Sequence, residues 1–225
     1  MKNLKWVSGG VTILSLVLGL AGPMTASAAT SPSLGLAGTF SVLATTFTRN
    51  GGVTALTGDV GYTGVASGSG THTVAAGTDY GSGAPYSTAG TDQGIALTAL
   101  NIQPCTHTFP AGATNLATDT THGPIGVYAP GVYCTQTAAG AMSIGTAGIT
   151  LSGAGTYIFR TSAPTNALDS VDGSVVRLAN GASSCDVFWT PTAATTLGAN
   201  TTFVGTVIDD AGITVGANTV WNGRA

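Results

Sequence analysis

The sequence predicts a mostly β fold in which short strands stack as successive coils of a solenoid, with one α-helix alongside. Residues 196–201 (TLGANT) return as residues 214–219 (TVGANT), which is a repeat of 18 residues. A period of this length, built from apolar-alternating runs separated by Gly and Asn, is typical of one solenoid turn. The chain has 34 glycines in 225 residues, and only 7% of its residues are charged, far below the usual quarter.

Four predicted coils can be aligned over residues 143–223. The alignment gives one outward-facing column that contains Thr150, Arg177, Thr196 and Thr214. The following strand has an inward column that contains Ile158, Val187, Phe203 and Trp221. Its other side carries Phe159, Phe188 and Val204. Because a strand that is apolar on both sides must be buried on both, we expect another element to cover it.

Residues 91–101 form the only segment predicted to be helical. Thr91 or Asp92 would cap its first turn, and Pro104 follows its end. A helix of three turns is not stable alone in water, so we expect it to cover the doubly apolar strand. The flanking segments, 64–90 and 104–130, show no periodicity, and we predict irregular structure for both.

The N-terminus predicts export. Two lysines precede an apolar run over residues 11–21, and small residues at 26–28 form a cleavage site, which is the pattern of a signal peptide. We assign residues 1–28 to that peptide and 29–225 to one secreted domain. The alternative is a retained membrane anchor, although the run is shorter than the about 20 residues that span a bilayer.

The charge of the predicted mature domain argues against two classes of partner. Four arginines and nine aspartates leave a formal charge of −5. Nucleic-acid affinity depends mainly on Lys and Arg that neutralise phosphates, so we expect no nucleic-acid partner. For the same reason we expect no binding to a membrane once the signal peptide is removed.

Three cysteines cannot all pair within one chain, although export permits disulfides. We favour Cys105–Cys134, which would fasten the irregular segment 104–133 to a coil. Cys134–Cys185 is the alternative. The remaining cysteine is predicted to be a buried, small apolar residue.

Catalytic and metal-binding signatures are weak. His72, His107 and His122 lie in the irregular segments and lack metal-ligand spacing. The close pairs of aspartates are Asp169 with Asp172 and Asp209 with Asp210. We interpret these pairs as solvated turns, although parallel β-helices do host polysaccharide-cleaving enzymes. The sequence therefore predicts no enzyme, no cofactor and no metal.

Seven short segments, taken in order, resemble the DUF3494-type ice-binding (antifreeze) protein family. They are residues 34–44 (LGLAGTFSVLA), 56–61 (LTGDVG), 130–133 (PGVY), 157–159 (YIF), 185–189 (CDVFW), 202–205 (TFVG) and 221–225 (WNGRA). The resemblance implies a right-handed, discontinuous β-helix of roughly triangular section with one α-helix packed alongside. It also implies secretion and adsorption to ice through one flat β face.

The chain departs from that family in three respects. Its predicted helix is shorter, and Cys105 and Cys134 are additional to the more usual Cys185. The family continues with a further strand and coil after the position of Ala225, so we expect the C-terminal coil to be truncated.

A Thr-rich β face suits an ice crystal surface as partner. Stacked strands lie about 4.7–4.9 Å apart, close to a repeat of the ice lattice, and threonine offers a hydroxyl and a methyl on a stiff χ1. The predicted ice-binding residues are Thr150, Thr196 and Thr214, their small neighbours Ala194 and Gly212, and Thr54 and Thr57 at the other end. Arg177 interrupts this column. We expect the protein to act as a monomer.

The alternative function is an extracellular surface or adhesive module that binds carbohydrate or another cell. Its stacking platform would consist of Tyr62, Tyr80, Tyr86 and Tyr128. Tyrosines gathered on one exposed face would favour this function, whereas tyrosines packed into the fold would favour a structural role.

Overall fold

The computed structural model describes residues 28–136 and 140–225, so most of the predicted signal peptide lies outside the described residues. Nearly all strands pair in parallel with a strand from the preceding or following coil. No helix within residues 28–136 and 140–225 is long and apolar enough to cross a membrane.

Three parallel sheets surround one apolar core and give the stack three sides. The six-stranded sheet consists of β6 (His107–Thr108), β9 (Gly131–Cys134), β12 (Tyr157–Arg160), β15 (Val187–Thr190), β17 (Thr202–Val207) and β19 (Val220–Arg224). The five-stranded sheet consists of β7 (Thr114–Asn115), β10 (Met142–Ile144), β13 (Leu168–Ser170), β16 (Thr195–Leu197) and β18 (Ile213–Val215). The third-side sheet consists of β8 (Val127–Tyr128), β11 (Ile149–Ser152) and β14 (Val176–Ala179).

The 18-residue repeat forms two stacked coils, as predicted. Thr196 pairs with Thr214, and Leu197 pairs with Val215. At the following corner, Asn200 and Asn218 both adopt positive φ, 57° and 58°. Asparagine tolerates this left-handed conformation better than most residues, and the Asn218 side chain donates a hydrogen bond to Asn200 Oδ1 at 3.2 Å. The repeated asparagine therefore fixes the corner of each coil.

Residues 40–81 form additional coils. They contain β1 (Phe40–Ala44), β2 (Val53–Leu56), β3 (Asp59–Tyr62), β4 (Thr71–Val74) and β5 (Asp79–Gly81). Strand β2 pairs with β4, and β3 lies between β1 and β5. The prediction of irregular structure over residues 64–90 was therefore wrong. Side-chain alternation is weak in this Gly-rich segment, but the glycine pairs Gly51/Gly70 and Gly58/Gly77 have the same spacing and lie in contact.

The order of coils in the stack differs from their order in the chain. The Leu43 amide donates to the Ala225 carbonyl at 2.9 Å, and the Ala225 amide donates to the Ser41 carbonyl at 3.0 Å. Strand β1 thus continues the six-stranded sheet beyond β19. The β-helix is discontinuous because its N-terminal coils stack on the C-terminal end of the main stack.

Segment 104–130, also predicted to be irregular, contributes a complete coil. Its strands β6, β7 and β8 are only two residues long each, and each adds to a different sheet. Strands this short cannot display two-residue periodicity, so the sequence pattern did not reveal them.

A column of aromatic rings fills the core beneath the six-stranded sheet. Phe159 and Trp189 stack with ring centroids 4.2 Å apart, and Trp189 lies 5.3 Å from Phe203. Tyr133 and Trp221 extend the column in the two directions. Aromatic pairs at such distances stabilise a core beyond their buried area.

The pairing of β12 with β15 corrects the predicted inward column by one residue. Ile158 pairs with Phe188 rather than with Val187, and Phe159 pairs with Trp189. Phe159 and Trp189 point into the core, whereas Ile158 and Phe188 point outward, towards the helix. Two-residue alternation alone does not show which of two apolar sides faces the core.

The helix α1 spans Tyr86–Asn101 and covers the six-stranded sheet, as predicted. Its buried residues Ala96 and Leu100 pack against Ile158 and Phe188. It begins five residues before the predicted start, and Ala89, in its first turn, is fully buried against Ala37 and Phe40. Asp92 does not cap it. Instead, the Asp92 carboxylate accepts a hydrogen bond from the Leu36 amide at 2.7 Å.

The predicted disulfide Cys105–Cys134 is confirmed, and it joins the segment after α1 to β9. The Arg160 guanidinium lies beside both sulfurs and donates hydrogen bonds to the Leu100 and Gln103 carbonyls. Cys185 is free and exposed, which contradicts its predicted burial. It lies in a short 3-10 turn, Ser184–Asp186, outside the core.

Replacing both Cys105 and Cys134 with alanine should lower the free energy of unfolding by roughly 3 kcal/mol, because the bond closes a long loop in the unfolded chain. The bonded cysteines are 29 residues apart. Urea unfolding measures the change, and Cys185→Ala is the control, which should leave stability unchanged. If the double variant is no less stable than Cys185→Ala, the disulfide does not stabilise the fold.

Candidate functional site

The exposed surface of the five-stranded sheet has a central column of polar side chains. From β7 to β18 the column runs Asn115, Ser143, Asp169, Thr196 and Thr214. The residues on either side of the first four members are buried and point into the core, as Thr195 and Leu197 do around Thr196, whereas Val215 beside Thr214 is exposed. Parallel strands place the members about 4.8 Å apart.

Small residues flank this column on both sides. Two positions before the column lie Ala113, Ala141, Ala167, Ala194 and Gly212. Two positions after it lie Ala117, Gly145, Val171, Gly198 and Gly216. Alternation places these residues on the same side as the column, except Ala117, which is buried in the core. Val171 is the only large side chain among the ten, so the column stands on a low, flat surface, which we call the five-stranded face.

The polar groups of the five-stranded face differ in their hydrogen bonding. Asn115 Oδ1 accepts from the Ala117 and Gly145 amides at 3.0 and 3.1 Å. The Ser143 hydroxyl donates to the Thr114 carbonyl at 3.4 Å. Within residues 28–136 and 140–225, the side chains of Asp169, Thr196 and Thr214 have no protein hydrogen-bond partner and are exposed to solvent.

Four of the seven predicted ice-binding residues share this face: Thr196, Thr214, Ala194 and Gly212. Thr150 does not, because it pairs with Val127 and Arg177 in the third-side sheet. The predicted single column was therefore wrong, and Asp169, not Arg177, neighbours Thr196. Asn115, Ser143 and Asp169 were missed. Their signal was an Ala two positions before each of them.

Thr54 and Thr57 also lie apart from the five-stranded face. Thr54 is in β2, which pairs only with β4, and Thr57 lies in the bend between β2 and β3. Both are exposed. Among the described residues, no strand pairing joins either threonine to β18. That they extend the ice-binding column stays a prediction.

The third-side sheet presents a less regular surface. Its outward residues include Val127, Thr150 and Arg177, which are neighbours on adjacent strands. The exposed Arg177 side chain reaches back to the Ala147 carbonyl at 3.4 Å. A long charged side chain stands above the sheet and makes this side neither flat nor neutral.

The histidines belong to the two ends of the stack. At one end His72 contacts Asp79 at 2.8 Å and Arg49 at 3.1 Å. At the other end His122 contacts Asp119 at 2.6 Å. No group of three or more His, Cys, Asp or Glu side chains able to hold a metal ion occurs among the described residues. Each His–Asp pair therefore joins side chains within one of the two end coils of the solenoid.

Among the described residues, three titratable groups near these ends have lowered pKa values. Burial lowers the pKa of His107 below its usual value, and the neighbouring His122 lowers it further. Burial acts to raise the pKa of Asp119, but hydrogen bonds from His122 and Thr121 outweigh it and hold that pKa below its usual value. The pKa of Asp79 is lowered in the same way, chiefly by its hydrogen bond from His72.

We expect stability to fall in two steps on acidification. Below about pH 6.5 the unfolded chain protonates His107 more readily than the folded chain does, so stability decreases. Below about pH 4, the stability contributed by the ionised Asp79 and Asp119 is lost as pH falls through their lowered pKa values. Thermal unfolding at pH 7, 5 and 3 measures both steps. His107→Gln should weaken the first step, and an unchanged step in this variant would contradict the assignment.

The tyrosines considered for a carbohydrate platform are packed into the fold. Tyr128 is fully buried, and Tyr62, Tyr80 and Tyr86 are half-buried. Tyr80 packs on Phe40, and the Tyr86 hydroxyl donates to the Ala44 carbonyl at 3.0 Å. These contacts favour the structural role.

The geometry defines a class of protein: a rigid β-solenoid that presents a flat surface of small and polar side chains. The chain belongs to the ice-binding-like family, whose signature matches residues 42–225. A search of curated proteins found no match.

Solved structures similar to this chain include ice-binding proteins from Antarctic and Arctic microorganisms. An ice-binding protein from the Antarctic ascomycete Antarctomyces psychrotrophicus is 25% identical, with a TM-score of 0.67, and the match covers 87% of this chain and 91% of that one. An ice-binding protein from an Antarctic Flavobacteriaceae bacterium is 26% identical, with a TM-score of 0.60, and the match covers 87% of this chain and 47% of that one. The Shewanella frigidimarina ice-binding protein_1 DUF3494 domain shares the fold at 21% identity and a TM-score of 0.59, with 88% and 100% covered.

Proposed function

We propose that this protein is secreted, acts as a monomer and adsorbs to ice through the five-stranded face, thereby inhibiting ice growth and recrystallisation. The observation that carries the proposal is the pair Thr196 and Thr214. Their hydroxyls are free, their strands are in register, and Ala194 and Gly212 leave them unobstructed.

The physical basis is a rigid array that matches a crystal of water. The hydroxyls can hold water molecules in an ordered row, while the methyl groups hold others at the same spacing. Threonine loses little rotamer freedom when it is immobilised, because its χ1 is already restricted. Ice that grows between adsorbed molecules must curve, and the curvature opposes further growth.

Ice recrystallisation inhibition by purified residues 29–225 tests the proposal. We expect crystals in a frozen film to stay small during annealing, whereas an equal mass of albumin should not restrain them. Growth at the albumin rate would refute ice binding. Protein in the culture medium that begins near Ala29, as determined by N-terminal sequencing, tests secretion, and light scattering tests the monomer.

A further inference from the structure

We infer that Asp169 limits the ice affinity of the five-stranded face by dividing it into two parts. This inference rests on the proposed function and concerns how much of the face can contact ice. Asp169 lies in the middle of the central column, paired with Ser143 on one side and Thr196 on the other. It is the only charged residue in that column.

The carboxylate of Asp169 is exposed and available to water. Within the described ranges 28–136 and 140–225 it has no hydrogen-bond or ion-pair partner, whereas Asp172, at the next corner, accepts a hydrogen bond from the Ala199 amide at 2.8 Å. Asp169 therefore does not hold the coil together as Asp172 does. Its replacement should leave the fold intact.

The hydration of a carboxylate differs from that of threonine. An ionised carboxylate only accepts hydrogen bonds and turns the hydrogens of surrounding waters towards itself. Each lattice water in ice both donates and accepts, and a threonine hydroxyl can do the same. Asp169 also lacks the methyl group that Thr196 and Thr214 provide. We therefore expect ordered water on the face to be interrupted at β13.

The two parts of the face on either side of Asp169 are unequal. On one side, Thr196 and Thr214 carry free hydroxyls. On the other side, the Asn115 and Ser143 side chains are bonded to backbone groups. A threonine at position 169 would make three adjacent free hydroxyl–methyl pairs at about 4.8 Å spacing. Threonine also suits an exposed strand position better than aspartate does.

Asp169→Thr should therefore inhibit ice recrystallisation at a several-fold lower concentration than the wild-type protein. The matched control is Asp210→Thr, which removes the same charge from an exposed turn and should leave the inhibitory concentration unchanged. Asp169→Asn, which removes the charge without adding a methyl, should give an intermediate value. It is also the test if Asp169→Thr fails to fold, as judged by thermal unfolding.

Each outcome bears on a defined claim. Wild-type activity that neither Asp169 variant improves would overturn the inference and leave the proposed function standing. An equal gain in Asp210→Thr would also overturn it, because net charge would then explain the effect. Inactivity of the wild-type protein and of all variants would refute the proposed function, and the inference with it.

Discussion

Replacing both Thr196 and Thr214 with tyrosine should abolish recrystallisation inhibition without unfolding the protein. Both side chains are exposed and lie side by side on β16 and β18. Two bulky rings would hold the surface of ice away from Ala194 and Gly212 and remove the ordered hydroxyls. Tyrosine is well accepted on exposed strands, so the melting temperature should change little.

The matched control is the double variant Thr150→Tyr, Arg177→Tyr on the third-side sheet. These residues are also neighbours on adjacent strands, and the variant adds the same two rings. It should retain the wild-type inhibitory concentration. If the control loses activity and the Thr196, Thr214 variant keeps it, the ice-binding face is the third side, and our assignment is wrong.

Replacing Trp189 with alanine should destabilise the fold by about 3–5 kcal/mol, the usual cost of deleting a buried large aromatic side chain. Trp189 is fully buried between Phe159 and Phe203 in the aromatic column. Its indole N–H donates to the Val204 carbonyl at 2.9 Å. The substitution would leave a cavity and a buried carbonyl without this donor.

Chemical denaturation measures this loss, and Trp221→Ala provides the comparison. Trp221 ends the column and is only half-buried, although its indole N–H also donates to a carbonyl, that of Gly205, at 2.8 Å. Its loss should therefore cost clearly less than the loss of Trp189. Equal losses would show that depth in the column does not govern the energy.

The sequence predicted those features that depend on repetition and on local chemistry. The pairing of Thr196 with Thr214 followed from the 18-residue repeat, because identical coils stack in register. The covering helix followed from an apolar strand that had two faces to bury. The disulfide followed from the irregular segment 104–133, which a Cys105–Cys134 bond would fasten to a coil.

Assignment of strands to sides could not be predicted in the same way. Strands on all three sides alternate with the same two-residue period, so Thr150 in β11 and Thr196 in β16 have similar surroundings in sequence. The last coils are also shorter than the earlier ones, since residue 169 pairs with residue 196 but residue 196 pairs with residue 214. An alignment with one fixed coil length therefore passes from one side to the next.

A backbone irregularity within β17 also makes the pairing of this strand hard to predict from sequence. Gly205 has a φ of 111°, and a Cβ there would lie 2.7 Å from a Val187 methyl carbon, so only glycine fits. Beyond it, Thr206 and Val207 pair with Phe188 and Trp189. Phe203, two residues before Gly205, contacts the Trp189 ring although it does not pair with Trp189.

The hydrogen bonds between Ala225 and strand β1 have a consequence for biosynthesis. Residues 41–43 are synthesised early, but they can form these hydrogen bonds only after residue 225 has left the ribosome. The nascent chain can stack its middle coils early, but it cannot join the N-terminal coils to them until translation reaches that position. Contacts between residues so distant in sequence also slow folding. We therefore expect the N-terminal coils to join the main stack only after residues 41–225 have all been synthesised.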